Sequence, residues 1–153
     1  MTPCPAARST PWHRLAALAA AVPLAWAGLA APAAAAVMIS QVYGGGGNSG
    51  APYTHDYVEL HNSGALAVSL AGWSLQYASA TGSSWSNSTV LAGSIPAGGY
   101  FLIRLAAPTH PAGVALPVTP DVTGNSNLSA ANGKLALVNN GALLTGTDRK
   151  SVV

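Results

Sequence analysis

The sequence predicts an all-β domain, an antiparallel β-sandwich, and three observations point to it. Between residues 37 and 147 no helical spacing of apolar residues is visible. Short apolar segments recur there instead, at 37–42, 56–60, 68–70, 73–77, 89–91, 100–105, 134–138 and 142–144, with turn residues between them. Within one of these, Tyr57 and Glu59 alternate with Val58 and Leu60, the pattern of a strand with one face buried.

In order along the chain, 37–42 is apolar and β-branched, a composition that suits a strand. Gly44 to Gly47 follow. Gly45-x-Gly47-x-x-Gly50 spells a dinucleotide fingerprint, but Ala51-Pro52-Tyr53 and a strand come next, where a pyrophosphate needs a helix N-terminus. A flexible or tightly folded surface loop is expected instead, leading into the strand at 56–60. Trp73 lies inside the next long segment and is expected in the core, as tryptophans of sandwiches are. Pro96-Ala97-Gly98-Gly99 is a turn ahead of 100–105, and the four prolines of 108–120 give a long surface loop or an irregular edge. Asn139-Asn140-Gly141 predicts a tight hairpin between the last two segments, because Asn and Gly accept positive φ.

The ends differ from the middle. Arg8, His13 and Arg14 precede an apolar run from Leu15 to about Gly28, and small residues follow to Ala36, the layout of an export signal over 1–36 cleaved after Ala36. Pro23, Pro32 and the alanine-rich composition argue against a spanning helix, so no membrane attachment is expected once the leader is gone. The localisation implied is secreted or periplasmic. Residues 148–153, Asp-Arg-Lys-Ser-Val-Val, correspond to one reading frame of a common sequencing adapter, and an adapter artefact is the expectation for them. The domain itself is then 37–147, truncated before its natural end.

The chain has six Lys and Arg against four Asp and Glu, for a net charge of +2. Between the leader and the tail only Arg104 and Lys134 face Asp56, Glu59 and Asp121, which leaves a charge of −1. Two bases cannot supply the phosphate contacts that nucleic-acid binding needs, so nucleic acid is not supported as a partner of this domain. The single cysteine, Cys4, leaves with the leader, and the core must hold the domain without disulfides.

Asp56-Tyr-Val-Glu-Leu-His-Asn62, Leu70-Ala-Gly-Trp-Ser-Leu-Gln76, Ile95-Pro-Ala-Gly-Gly-Tyr-Phe-Leu102 and Gly133-Lys-Leu-Ala-Leu-Val-Asn139 together resemble the lamin-tail domain. The resemblance implies an immunoglobulin-like sandwich built around the Gly-Trp strand. The glycine loop and 75–82 look like the version found near the N-terminus of secreted bacterial proteins, several of which carry an extracellular nuclease of the endonuclease/exonuclease/phosphatase type. Members of that type continue past the position of Leu144 into further β-structure, so the C-terminal strand or strands are expected to be missing, leaving ladder groups and one apolar face exposed. The function implied is a non-catalytic accessory or binding domain of an exported protein, for attachment to a protein or cell-surface ligand or for substrate positioning. The alternative is the N-terminal fragment of a secreted nuclease whose metal-dependent catalytic domain lies elsewhere.

No Gly-x-Ser-x-Gly elbow, cysteine nucleophile, His-Glu-x-x-His helix or phosphate loop is present between 37 and 147, and no catalytic or cofactor-binding residue is expected. His55, Asp56, Glu59 and His61 are the candidates for a metal. On a strand Glu59 and His61 share one face and Asp56 takes the other, so at most half the group converges. Calcium, with Asp56 and loop carbonyls near 44–48 as ligands, is the one cation considered, with Glu59 the other weak candidate. Trp85, in the polar stretch 82–87, has two readings, a contact surface or a ring folded back on its own domain; Tyr53 is the other candidate for a contact surface. Asn87-Ser-Thr and Asn127-Leu-Ser fit the glycosylation triplet.

Overall fold

The computed structural model describes Met1 and residues 37–146. The leader expected over 1–36, Met1 apart, and the tail expected over 148–153 lie outside the described residues. The chain divides into two compact units, 1–31 and 32–153, and only the second is described below.

Among the described residues nine strands form: β1 (Val37–Tyr43), β2 (Tyr57–Asn62), β3 (Val68–Ser69), β4 (Ser74–Ala78), β5 (Asn87–Val90), β6 (Ser94–Ile95), β7 (Tyr100–Arg104), β8 (Val122–Thr123) and β9 (Lys134–Val138). They form a four-stranded sheet ordered β1-β2-β7-β8, a three-stranded sheet ordered β5-β4-β9, and a short β3-β6 pair. The alternation read from the sequence holds in β2, where Val58 and Leu60 are fully buried and Tyr57, Glu59 and His61 are half-buried on the other side. Val58 and Leu60 meet Phe101 and Ile103 of β7 and, from the facing sheet, Leu75, Tyr77 and Leu137, in one apolar core that also takes Trp73 against its flank. This is the all-β, immunoglobulin-like sandwich.

Three features depart from a simple antiparallel reading. β8 runs parallel to β7, with Ile103 beside Val122. A parallel return needs a connection of about a dozen residues or more, which the proline-rich segment supplies. Asp121 fastens the return: its Oδ2 accepts from the Leu102 amide at 2.7 Å, and its own amide donates to the Leu102 carbonyl at 2.9 Å.

Second, residues 139–144 do not form the expected hairpin. Gly141 does not take a positive φ. Asn140 Oδ1 accepts from the Ala142 amide at 2.9 Å instead, a side-chain turn that sends the chain away from β9. Segment 142–146 then crosses the outer face of the three-stranded sheet. Gln76 Nε2 donates to the Ala142 carbonyl at 2.8 Å, and Gln76 Oε1 accepts from the Leu144 amide at 3.0 Å. The face expected to stand open is thereby covered, which is why all five residues of β4 are buried.

Third, the glycine loop is not superficial throughout, since Gly46 and Gly47 are buried. A Cβ on Gly46 would lie 2.1 Å from the carbonyl carbon of His55, so only glycine lets the two backbones pass this closely.

Candidate functional site

Asp56 is 1 % exposed, and both of its carboxylate oxygens are occupied. Oδ1 accepts from the Gly46 amide and Oδ2 from the Leu128 amide, each at 2.7 Å. The glycine loop and the segment at Leu128 therefore each turn an N–H donor toward Asp56, the polarity opposite to that of a calcium loop, where oxygens surround the ion. Glu59 lies on the far side of β2 and accepts from Ser40 Oγ through Oε1 at 2.7 Å. His55 Nδ1 contacts its neighbour Thr54 Oγ1 at 2.8 Å, and His61 stacks on Tyr100 with ring centroids 4.6 Å apart. Among the described residues no group of three or more His, Cys, Asp or Glu is placed to hold a metal ion.

Trp85 does not present its indole to solvent; it is 2 % exposed, which corrects the contact-surface reading. The small side chains of Ala78 and Ala136 leave room on the outer face of the three-stranded sheet, and the ring fills it beside Val138 and Leu144. Its Nε1 donates to the Gly146 carbonyl at 3.0 Å, and the Lys134 ammonium sits over the ring 5.6 Å from its centroid. A buried indole with a satisfied N–H is a packing element.

Tyr53 is half-buried and belongs to a cluster. Its ring meets Tyr43 edge-on at 5.8 Å and 81° and Tyr57 at 6.1 Å and 72°, while Tyr43 and Tyr57 stack at 5.2 Å and 18°. β1 brings Tyr43 there by an irregularity of register. Between Ile39 and Gln41 the pairing shifts, so that Ser40 is extra and Gln41, Val42 and Tyr43 lie opposite Glu59, Val58 and Tyr57. Without that bulge, strict alternation would place Tyr43 on the core side with Ile39. Ser40 Oγ holds the bulge by sharing its one hydrogen between Glu59 Oε1 and, at 3.1 Å, the Glu59 carbonyl.

The outer face of the four-stranded sheet thus carries two aromatic groups. Tyr43, Tyr53 and Tyr57 gather at one end, and His61 on Tyr100 at the other. Beside the first group is a groove of about 270 Å³ lined by Gln41, Tyr53, Tyr57, Glu59, Leu102 and Pro117, among others. Burial, then the neighbouring Tyr53, Glu59 and Tyr43, push the Tyr57 phenol above its ordinary pKa of 10.0. A second cavity, of about 390 Å³, lies between the end of β1 and the start of β9, near Val42, Gly44, Tyr77, Ser129 and Leu135. Of the sequence-derived candidates, the structure brings Tyr53 and Glu59 together in one groove and separates Asp56 and Trp85 from it. Sequence reasoning missed Gln41 and the grouping of the tyrosines, because both depend on the bulge.

No helix of the described residues is long and apolar enough to cross a membrane. No curated protein and no solved structure is matched by this chain. The family model of the lamin tail domain matches residues 30–151, and together with the sandwich and its Gly-Trp strand this shows that the chain belongs to the lamin tail domain family.

Proposed function

We propose that this chain is the non-catalytic binding module of an exported protein and that it holds a protein or cell-surface partner on the outer face of its four-stranded sheet. The observation that carries the reading is the collection of five rings, Tyr43, Tyr53, Tyr57, His61 and Tyr100, on that one face, where Tyr53 and Tyr57 line a groove. Tyrosine offers a large, rigid contact area at low side-chain entropy cost, which is why it dominates binding surfaces. The opposite sheet has no comparable face, since segment 142–146 and Trp85 cover it.

A partner held there is positioned and not transformed, a reading supported by the lamin tail domain family and by the engagement of Ser40 Oγ, the hydroxyl beside the Glu59 carboxylate, in holding the β1 bulge. The reading is supported by the export layout of the first 36 residues, since an exported module would meet surface ligands.

The test is co-sedimentation of the purified full chain with envelope material from the producing cells, followed by the same assay with Tyr53→Ala and Tyr57→Ala. Retention of the wild type and its loss in both variants are expected. Failure of the wild type to sediment, or phosphodiester hydrolysis by the purified chain with magnesium, would overturn the reading.

A further inference from the structure

We propose that the groove beside Tyr53 and Tyr57 binds a neutral sugar ring, one unit of a cell-surface polysaccharide. This rests on the reading of the outer sheet face as a binding surface and names its ligand class. A pyranose has one apolar C–H face and a rim of hydroxyls. The groove offers the complement of each: Tyr53 and Tyr57 line it with apolar ring surface, while Gln41 and Glu59 line it with hydrogen-bonding groups.

The donor and acceptor balance selects among ligands. Ser40 Oγ occupies Oε1 of Glu59, which leaves Oε2 to accept from a ligand hydroxyl. The Gln41 amide donates and accepts in the same space. A proline-rich peptide shows mainly carbonyl acceptors along its backbone, which an acceptor-only carboxylate cannot satisfy. Phosphates and acidic glycans are opposed by the Glu59 charge. Arg104 stands opposite Tyr57 on β7 but is not among the groove-lining residues.

An ammonium ligand would need rings set apart around a central void. Here the three rings pack on one another at centroid separations of 5.2, 5.8 and 6.1 Å, two pairs edge-on and one stacked, and leave no central void between them. The volume of about 270 Å³ is below the ordinary range for drug-sized ligands, so the groove takes a single ring of a longer molecule. Tyr57 and His61 lie four residues apart on the same side of β2, roughly 13 Å along the strand, which aligns the His61–Tyr100 stack as a second aromatic contact for an extended chain.

The experiment is native affinity electrophoresis of the full chain in gels containing hydroxyethyl cellulose, xylan, galactomannan or laminarin, followed by calorimetry with a soluble hexasaccharide of the retarding polymer. Retardation by at least one polymer is expected. Tyr53→Ala and Gln41→Ala should each weaken hexasaccharide binding by about tenfold, with thermal midpoints near that of the wild type. Gln41 is exposed, so its variant keeps the test valid even if the tyrosine variant is destabilised. Tyr100→Ala should weaken the hexasaccharide more than the monosaccharide.

If no polymer retards the chain while it still sediments with envelope material, the sugar assignment is overturned and the binding face stands. If it neither sediments nor is retarded, both fall. Preferential binding of a proline-rich peptide or of choline in the same calorimeter would also overturn the sugar assignment.

Discussion

Asp56 commits both carboxylate oxygens to backbone amides, and in doing so ties Gly46, β2 and Leu128 into one unit. Its backbone takes part as well, with the amide donating to Ala106 and the carbonyl accepting from Leu105. In Asp56→Asn the new amide turns a donor toward a backbone donor, and the stability of the full chain to denaturant is expected to fall by about 3 kcal/mol. A loss below about 1 kcal/mol would mean that the loop holds its shape without the carboxylate. For the same reason millimolar calcium should leave the thermal midpoint unchanged; a rise that disappears in Asp56→Asn would place a cation at this residue. Tyr57 makes a different contribution. Its phenol pKa is higher in the folded chain than in the unfolded one, so the folded state is penalised only where the unfolded phenol ionises. The Tyr57 contribution is therefore complete below about pH 10 and is lost as pH rises through the folded value. Ultraviolet titration should show one late tyrosinate step that is absent in Tyr57→Phe, and that variant should lose less stability above pH 10.

At the scale of elements, two small devices decide what each sheet presents. The bulge in β1 turns Tyr43 and Gln41 outward, and so creates the aromatic face. On the other sheet Gln76 uses its side-chain amide as a surrogate peptide group, pairing with Ala142 and Leu144 and bonding Ser74 Oγ at 2.9 Å. Removing it in Gln76→Ala leaves the Ala142 carbonyl and the Leu144 amide without those partners, and a loss of about 2–3 kcal/mol is expected. Because segment 142–146 also covers Trp85, the tryptophan emission of this variant should shift toward longer wavelength before global unfolding. An unshifted spectrum would mean that the indole is held without the strap. Asn62 plays a comparable part at the end of β2. Its Nδ2 donates to the carbonyls of Leu66, Ile95 and Pro96, and its Oδ1 accepts from the Gly64 amide, joining two turns.

For the molecule as a whole, the near absence of charge shapes what the proposed binding face can do. With Arg104 and Lys134 the only Lys and Arg between 37 and 147, counterion release has little to act on. Retention of the chain on its surface partner should change less than about twofold between low and moderate salt, and duplex DNA should not compete. A steep loss of retention with salt would show an electrostatic interface. The sandwich, its principal strands and the buried face of Val58 and Leu60 were legible in the sequence, because alternation and turn residues are local signals. The hairpin expected at Asn139-Asn140-Gly141 was misread for the same reason. Its local preference is real, but the pairing of Gln76 with 142–144 outweighs it.

The family, the strand periodicity and the low charge follow from residue type and short-range order, and were legible from the sequence alone. Only the tertiary structure decided which residues share a surface. An extra residue at Ser40 moves Tyr43 from one face of the sheet to the other, and a side-chain turn at Asn140 sends segment 142–146 across Trp85 in place of extending the sheet. The physical reason is that facing and burial depend on register and on long-range hydrogen bonds. A shift of one residue reverses the side of every position beyond it without altering the composition from which the strand is recognised.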